Sequence, residues 1–225
     1  MRLFLFVLLL VTLSFSSVFA DHSKCPSSPY FDVAPSDITH AKDLSAAELA
    51  YHSKYMQIAI DIAIENNSKF AAAIVHKNGT VACTGVNVGG SRMYHGEVKA
   101  IMNCTTMYQQ ATWEDYSLYT TGEPCPMCSA AIMWTKFQKV IFASYVSNMY
   151  CERCFNQLPM DSNEIFKLGY GINHNIVVIG GVLDNITDTF FPSVCNQAET
   201  GWGVTPLCQK GWSRECPRPS RYFGN

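Results

Sequence analysis

Two short motifs set the strictest condition on how this chain can fold: His95-Gly96-Glu97 and Pro124-Cys125-Pro126-Met127-Cys128. Singly, neither says much. A lone His is more often a surface or satisfied core residue, and a lone Cys-x-x-Cys is often a redox pair or a disulfide. Together they offer one imidazole, two thiolates three positions apart and a carboxylate beside the imidazole. An imidazole and two thiolates are the three protein ligands of a zinc that keeps its fourth position for water. Glu97, two residues beyond His95, is placed to reach that water without being a ligand. The fold must therefore bring His95 against Cys125 and Cys128. Each motif follows an extended segment and opens a predicted helix, whose positive end favours a thiolate.

The rest of the chain supplies such a fold. Residues 46–66 carry Leu49, Tyr55, Met56, Ala59, Ile60, Ala63 and Ile64 at helical spacing, and Ser45 with Glu48 forms a capping box. Apolar runs at 70–75 and 81–86 are joined by Lys77-Asn78-Gly79-Thr80, a strong hairpin signal. A helix is expected over 95–107, a strand over 116–121, a helix over 124–136 and a strand over 140–146. A short helix near 162–168 and a last buried strand over 175–182 follow. Strands alternating with helices imply an α/β fold. No internal repeat is evident.

Residues 1–20 read as a secretory signal peptide. Arg2 precedes an apolar stretch over 3–13, and Val18 and Ala20 occupy the small-residue positions before Asp21. The stretch is shorter than the ~20 residues a membrane span needs, so no membrane association is expected after cleavage. The remaining chain divides into an irregular lead-in (21–45), a single domain (46–190) and a Cys/Pro/Trp-rich tail (191–225). Its Lys and Arg total 16 against 18 Asp and Glu, a net charge of −2 that becomes −3 without Arg2. That balance lacks the basic field of a duplex nucleic-acid binder. With Cys125 and Cys128 on a metal, eight of the ten cysteines remain. Disulfides are expected in an oxidising compartment, in a pairing the sequence does not specify. Sequons at Asn66, Asn78, Asn103 and Asn185 agree with that route, although Asn103 falls in a predicted helix.

The stretches Tyr94-His95-Gly96-Glu97-Val98-Lys99-Ala100-Ile101 and Thr121-Gly122-Glu123-Pro124-Cys125-Pro126-Met127-Cys128-Ser129-Ala130-Ala131-Ile132-Met133-Trp134 resemble the cytidine deaminase-like superfamily, whose signature is H-x-E…P-C-x-x-C. Within it they look most like the guanine deaminase branch, next to tRNA adenosine deaminases. The resemblance covers residues 49–182. It implies a three-layer α/β/α sandwich around a mixed five-stranded sheet and one Zn²⁺ per chain on His95, Cys125 and Cys128. It also implies hydrolytic deamination of a nucleobase or nucleoside, guanine first, with Glu97 shuttling protons. Asn87, Gly96, Trp134 and Asp161 match substrate-binding positions, and a homodimer is expected. Family members usually carry Ala at the place of Gly96; Gly costs a helix roughly 1 kcal/mol against Ala, an expected slight loosening of the site.

Other readings compete. Cys151 and Cys154 could complete a four-cysteine structural zinc site with Cys125 and Cys128. Cys125 and Cys128 could serve a secreted thiol–disulfide oxidoreductase. The fold could also act as a non-catalytic, zinc-stabilised binding module. The first two leave the pairing of His95 with Glu97 unexplained, and the third has no use for a proton shuttle.

Overall fold

A computed structural model describes residues 38–194. The expected signal peptide, most of the lead-in and the tail beyond 194 lie outside the described residues. The elements follow the expected order: β1 (Thr39–His40), α1 (Ala46–Glu65), β2 (Ala71–His76), β3 (Val81–Val86), α2 (Gly96–Tyr108), β4 (Tyr116–Gly122), α3 (Pro126–Trp134), β5 (Lys139–Ser144), α4 (Ser162–Phe166), β6 (Val177–Gly180) and α5 (Asp184–Thr187). No helix among the described residues is long and apolar enough to cross a membrane.

The sheet has six strands in the order β1-β6-β5-β4-β2-β3, one more than expected. The extra strand is β1, two residues from the stretch read as irregular, which pair in parallel with Ile179 and Gly180. A two-residue strand carries no periodicity to read. β4, β5 and β6 run parallel, whereas β2 is antiparallel to both β3 and β4.

Alternation along the strands divides the core between two helical layers. Ala72, Ile74, Leu118, Val140, Phe142 and Val178 pack with Ala100 and Ile101 of α2 and Ile132 and Met133 of α3. Their neighbours Ala73, Val75, Tyr119, Ile141, Ala143 and Ile179 pack with Tyr55, Met56, Ala59 and Ile60 of α1. This is the period-2 pattern of strands buried on both faces. Full burial of a side chain such as Met56 or Ile60 contributes about 1.5–3 kcal/mol. At the start of α1 the Ser45 hydroxyl accepts from the Glu48 N–H, and Glu48 accepts from the Ser45 N–H. In the hairpin Gly79 takes φ +90, a conformation that favours glycine.

One disulfide is resolved between described residues, joining Cys83 of β3 to Cys104 of α2. It fastens the helix that carries His95 and Glu97 to an edge strand of the sheet. Cys151 and Cys154 are also disulfide-bonded, so neither offers a thiolate to a four-cysteine zinc site. Among the described residues Cys125 and Cys128 are the free cysteines.

The Cys83–Cys104 link spans 21 positions. Replacing both residues with alanine should lower the unfolding free energy by roughly 3 kcal/mol. Urea unfolding should show a lower midpoint; an unchanged midpoint would contradict this role.

Candidate metal centre

Because β3 and β4 both oppose β2, they end at the same edge of the sheet. α2 and α3 begin at that edge. His95 is the N-cap residue of α2, and Cys125 is the N-cap residue of α3, with Pro126 next in line. Proline suits that first helical position, where no N–H bond is needed. Cys128 then falls in the first turn of α3, on the side facing α2.

The first turn of α2 sits unusually close to the sheet. A Cβ on Gly85 would stand 2.3 Å from the Ala100 nitrogen and 2.4 Å from the Gly96 oxygen. A Cβ on Gly96 would stand 3.0 Å from Ala71 Cα. A side chain at Gly96 would press on the backbone of β2. This glycine permits close backbone contact between helix and strand. The run Ala71-Ala72-Ala73, poor in intrinsic strand preference, keeps β2 slim beneath that helix.

The three ligand groups converge. His95 Nδ1 lies 3.5 Å from Cys125 Sγ and 3.6 Å from Cys128 Sγ, and donor atoms of the three residues all lie within 4.8 Å of one another. In tetrahedral coordination, with Zn–S about 2.3 Å and Zn–N about 2.0–2.1 Å, a nitrogen and a sulfur stand about 3.6 Å apart. The donor set fits zinc by spacing as well as by chemistry. Glu97 is buried, and its Oε2 is 3.5 Å from Cys128 Sγ. A cavity of about 360 Å³ opens beside His95, lined by Phe70, Asn87, Ser91, Arg92, Phe155, Asn156 and Gln157.

A family model of the cytidine and deoxycytidylate deaminase zinc-binding region matches residues 49–144, the span that holds all four of these residues. A cytosine deaminase of Candida albicans is 31% identical over 101 residues, 42% of this chain and 67% of that protein. The chain belongs to the cytidine and deoxycytidylate deaminase family. A probable cytosine deaminase of Schizosaccharomyces pombe is 28% identical over 147 residues, 64% of this chain and 89% of that protein. A guanine deaminase of Bacillus subtilis is 32% identical over 101 residues, 41% of this chain and 64% of that protein. The solved guanine deaminase of Nitrosomonas europaea shares the fold, with a TM-score of 0.51 at 20% identity over 76% of this chain and 93% of that one. The chain is therefore a hydrolytic deaminase with a zinc-binding region, and the oxidoreductase and binding-module readings fall away.

The electrostatics of the deaminase centre favour a cation. The Cys128 thiol, and after it His95, hydrogen-bond Cys125 and hold its pKa at about 4 against the effect of burial. The same bond to Cys125, with burial and the nearby Glu97, pushes Cys128 upward. Burial and the Cys125 charge raise Glu97. The bond to Cys125 raises His95, outweighing its burial. Two thiols, one carboxyl and one imidazole thus share too little positive charge, and a divalent ion would supply the deficit. Glu123, two residues before Cys125, is a second buried carboxyl. Burial lifts its pKa to about 7, assisted by Asp161, although the N–H groups of Val146 and Ser162 donate to it.

The structure brings six of the eight expected site residues together. His95, Cys125, Cys128 and Glu97 meet, and Asn87 lines the cavity beside them. The Gly96 N–H donates to Asn87 Oδ1 at 2.7 Å, so these two residues act as a unit. Trp134 stands elsewhere. It is 71% exposed at the end of α3 and lines a separate apolar hollow with Met133, Ile165 and Leu168, not the cavity at His95. Asp161 is the N-cap residue of α4 and neighbours Glu123 rather than the cavity. The walls that sequence reasoning missed come largely from Phe155, Asn156 and Gln157, in a stretch without periodicity. Phe70, read only as the start of a strand, packs against Phe155 and Phe191 with ring centroids 6.1 Å and 5.1 Å apart.

Gly85→Ala forces a backbone shift in α2 and should destabilise the fold by several times the ~0.5 kcal/mol of an ordinary surface change. Thermal unfolding and zinc content measured on the same preparation should both fall. Retention of both would contradict the close seating of α2.

Proposed function

We propose that this deaminase removes the exocyclic amino group of a free nucleobase, guanine in first place, with His95, Cys125 and Cys128 holding zinc and Glu97 carrying protons. The observation that carries this reading is the placement of a buried Glu97 carboxyl against the Cys128 thiol, beside a cavity lined by His95 and Asn87.

His95, Cys125 and Cys128 would hold zinc, which would supply the Lewis acidity that makes a water acidic near neutral pH. Glu97 accepts the proton of the attacking water and passes it to a ring nitrogen as the amino-bearing carbon is attacked. It then takes the remaining proton of the added hydroxyl and delivers it to the departing amine. The balance is base–NH₂ plus water giving the oxo base plus ammonia. Asn87 holds its Oδ1 on the Gly96 N–H, which leaves the side-chain NH₂ for an acceptor on the edge of the base. Phe70 and Phe155 give flat apolar walls, and Ser91, Arg92, Asn156 and Gln157 give a polar rim. A cavity of this size is at the scale of small-molecule sites and suits an isolated base better than a stacked duplex.

Cytosine is the second reading, favoured by the two relatives named as cytosine deaminases. We also infer that the enzyme follows the secretory route. The apolar leader supports this, as do the Cys83–Cys104 link and the bonded Cys151 and Cys154.

Ammonia release across a panel of free bases and nucleosides separates the two substrates. Guanine is expected to turn over. Glu97→Gln should lose about 10²–10⁴-fold in kcat while keeping its zinc. Turnover of cytosine alone would move the second reading to the front, and full activity in Glu97→Gln would exclude the proton-carrying role.

A further inference from the structure

The four sequons are alike in sequence and differ sharply in the folded chain. Asn103 lies within α2 and donates from Nδ2 to the Thr84 oxygen of β3 at 2.8 Å. It adjoins Cys104, half of the disulfide that ties α2 to the same strand. Residues two apart on a helix point away from each other, so Asn103 and Thr105 do not present a joint face. Asn185 lies in α5, and its sequon hydroxyl, on Thr187, is fully buried and 2.7 Å from Ser144 Oγ. Asn66 is the C-cap residue of α1, and its Nδ2 donates to the Ile62 oxygen at 2.8 Å. The hydroxyl of Ser68 in that sequon donates to the Phe70 oxygen at 3.0 Å.

All four asparagines are exposed, and Asn78 differs in its setting and in the freedom of the groups around it. It is exposed in the turn between β2 and β3, the kind of surface loop in which an acceptor sequon is expected. Its Oδ1 accepts from the Thr80 N–H at 2.9 Å, which draws the sequon's first and third residues together. Its Nδ2 has no partner among the described residues. Thr80 is exposed as well. β2 runs from Ala71, under the first turn of α2, to His76 at the turn. At about 3.3 Å per residue the turn lies roughly 20 Å from the metal centre. A large substituent there leaves the cavity open and stands beside the free edge of β3, an edge that otherwise invites pairing with another chain.

We propose that Asn78, alone among the four sequons, carries an N-linked oligosaccharide. This rests on the inference that the chain enters the secretory route. The donor is a lipid-pyrophosphate-linked oligosaccharide. An N–C bond forms between Nδ2 and C1 of its first N-acetylglucosamine, the C1–O bond to pyrophosphate breaks, Nδ2 loses one proton, and the lipid pyrophosphate leaves with the electron pair.

The full chain is produced in a eukaryotic secretory cell line, collected from the medium and treated with peptide N-glycosidase in heavy-oxygen water. Peptide mass spectrometry should find residue 78 converted to labelled Asp and the other three Asn unlabelled. Asn78→Gln should lose the entire glycosidase-sensitive mobility shift and keep its rate of ammonia release, whereas Asn66→Gln, Asn103→Gln and Asn185→Gln should keep the shift. Label at another sequon with residue 78 bare overturns the assignment and leaves the secretory reading intact. An unmodified chain confined to the cytosol overturns both.

Discussion

The backbone contact between the first turn of α2 and strands β2 and β3 is the constraint on which the site depends. Gly85 and Gly96 remove the side chains that would hold the two surfaces apart, and the Gly96 N–H reaches Asn87 Oδ1 as a result. That contact fixes the direction of His95 at the head of α2. The Cys83–Cys104 link then holds the other end of the same helix to the same strand. A metal centre assembled from two helix starts has little tolerance for movement of either, because the donors act together only at the spacing of one ion. Here both helices are anchored at the edge of one sheet.

Burial gives the centre its chemistry and its need for an ion. Two thiols and a carboxyl gathered in the interior cannot all ionise without a cation, since each isolated buried charge is costly. A divalent ion on His95, Cys125 and Cys128 would supply the missing charge. Around the centre, buried hydrogen bonds tie neighbouring segments together. Thr121 Oγ1 accepts from the Ala71 N–H and donates to the Lys69 oxygen, tying the end of β4 to the start of β2. Glu123 receives the N–H groups of Val146 and Ser162 and the Ser162 hydroxyl, which connects the Cys125 approach to the segments behind it.

The sequence carried the parts of this architecture that depend on local patterning. The capping box at Ser45, the hairpin at Asn78-Gly79, the order of strands and helices and the four residues of the metal motifs were all readable. Contacts between segments distant in sequence were less so. β1 is too short to show alternation and exists because β6 offers it an edge. Phe155 joins the cavity wall through packing with Phe70 and Phe191, a tertiary effect without a local signature. Trp134 had the right place in a motif, yet the last turn of α3 points it to solvent. Gly96 looked like a weakness by helix propensity; only the position of Ala71 reveals its use.

The donor spacing at His95, Cys125 and Cys128 suits one zinc with room for a further light ligand. X-ray absorption at the zinc edge of the purified protein tests it most directly. The expected result is about one zinc per chain with two sulfur neighbours at about 2.3 Å, one imidazole nitrogen at about 2.0–2.1 Å and an additional light atom. A shell of four sulfurs, or a folded protein that holds no zinc, would contradict it.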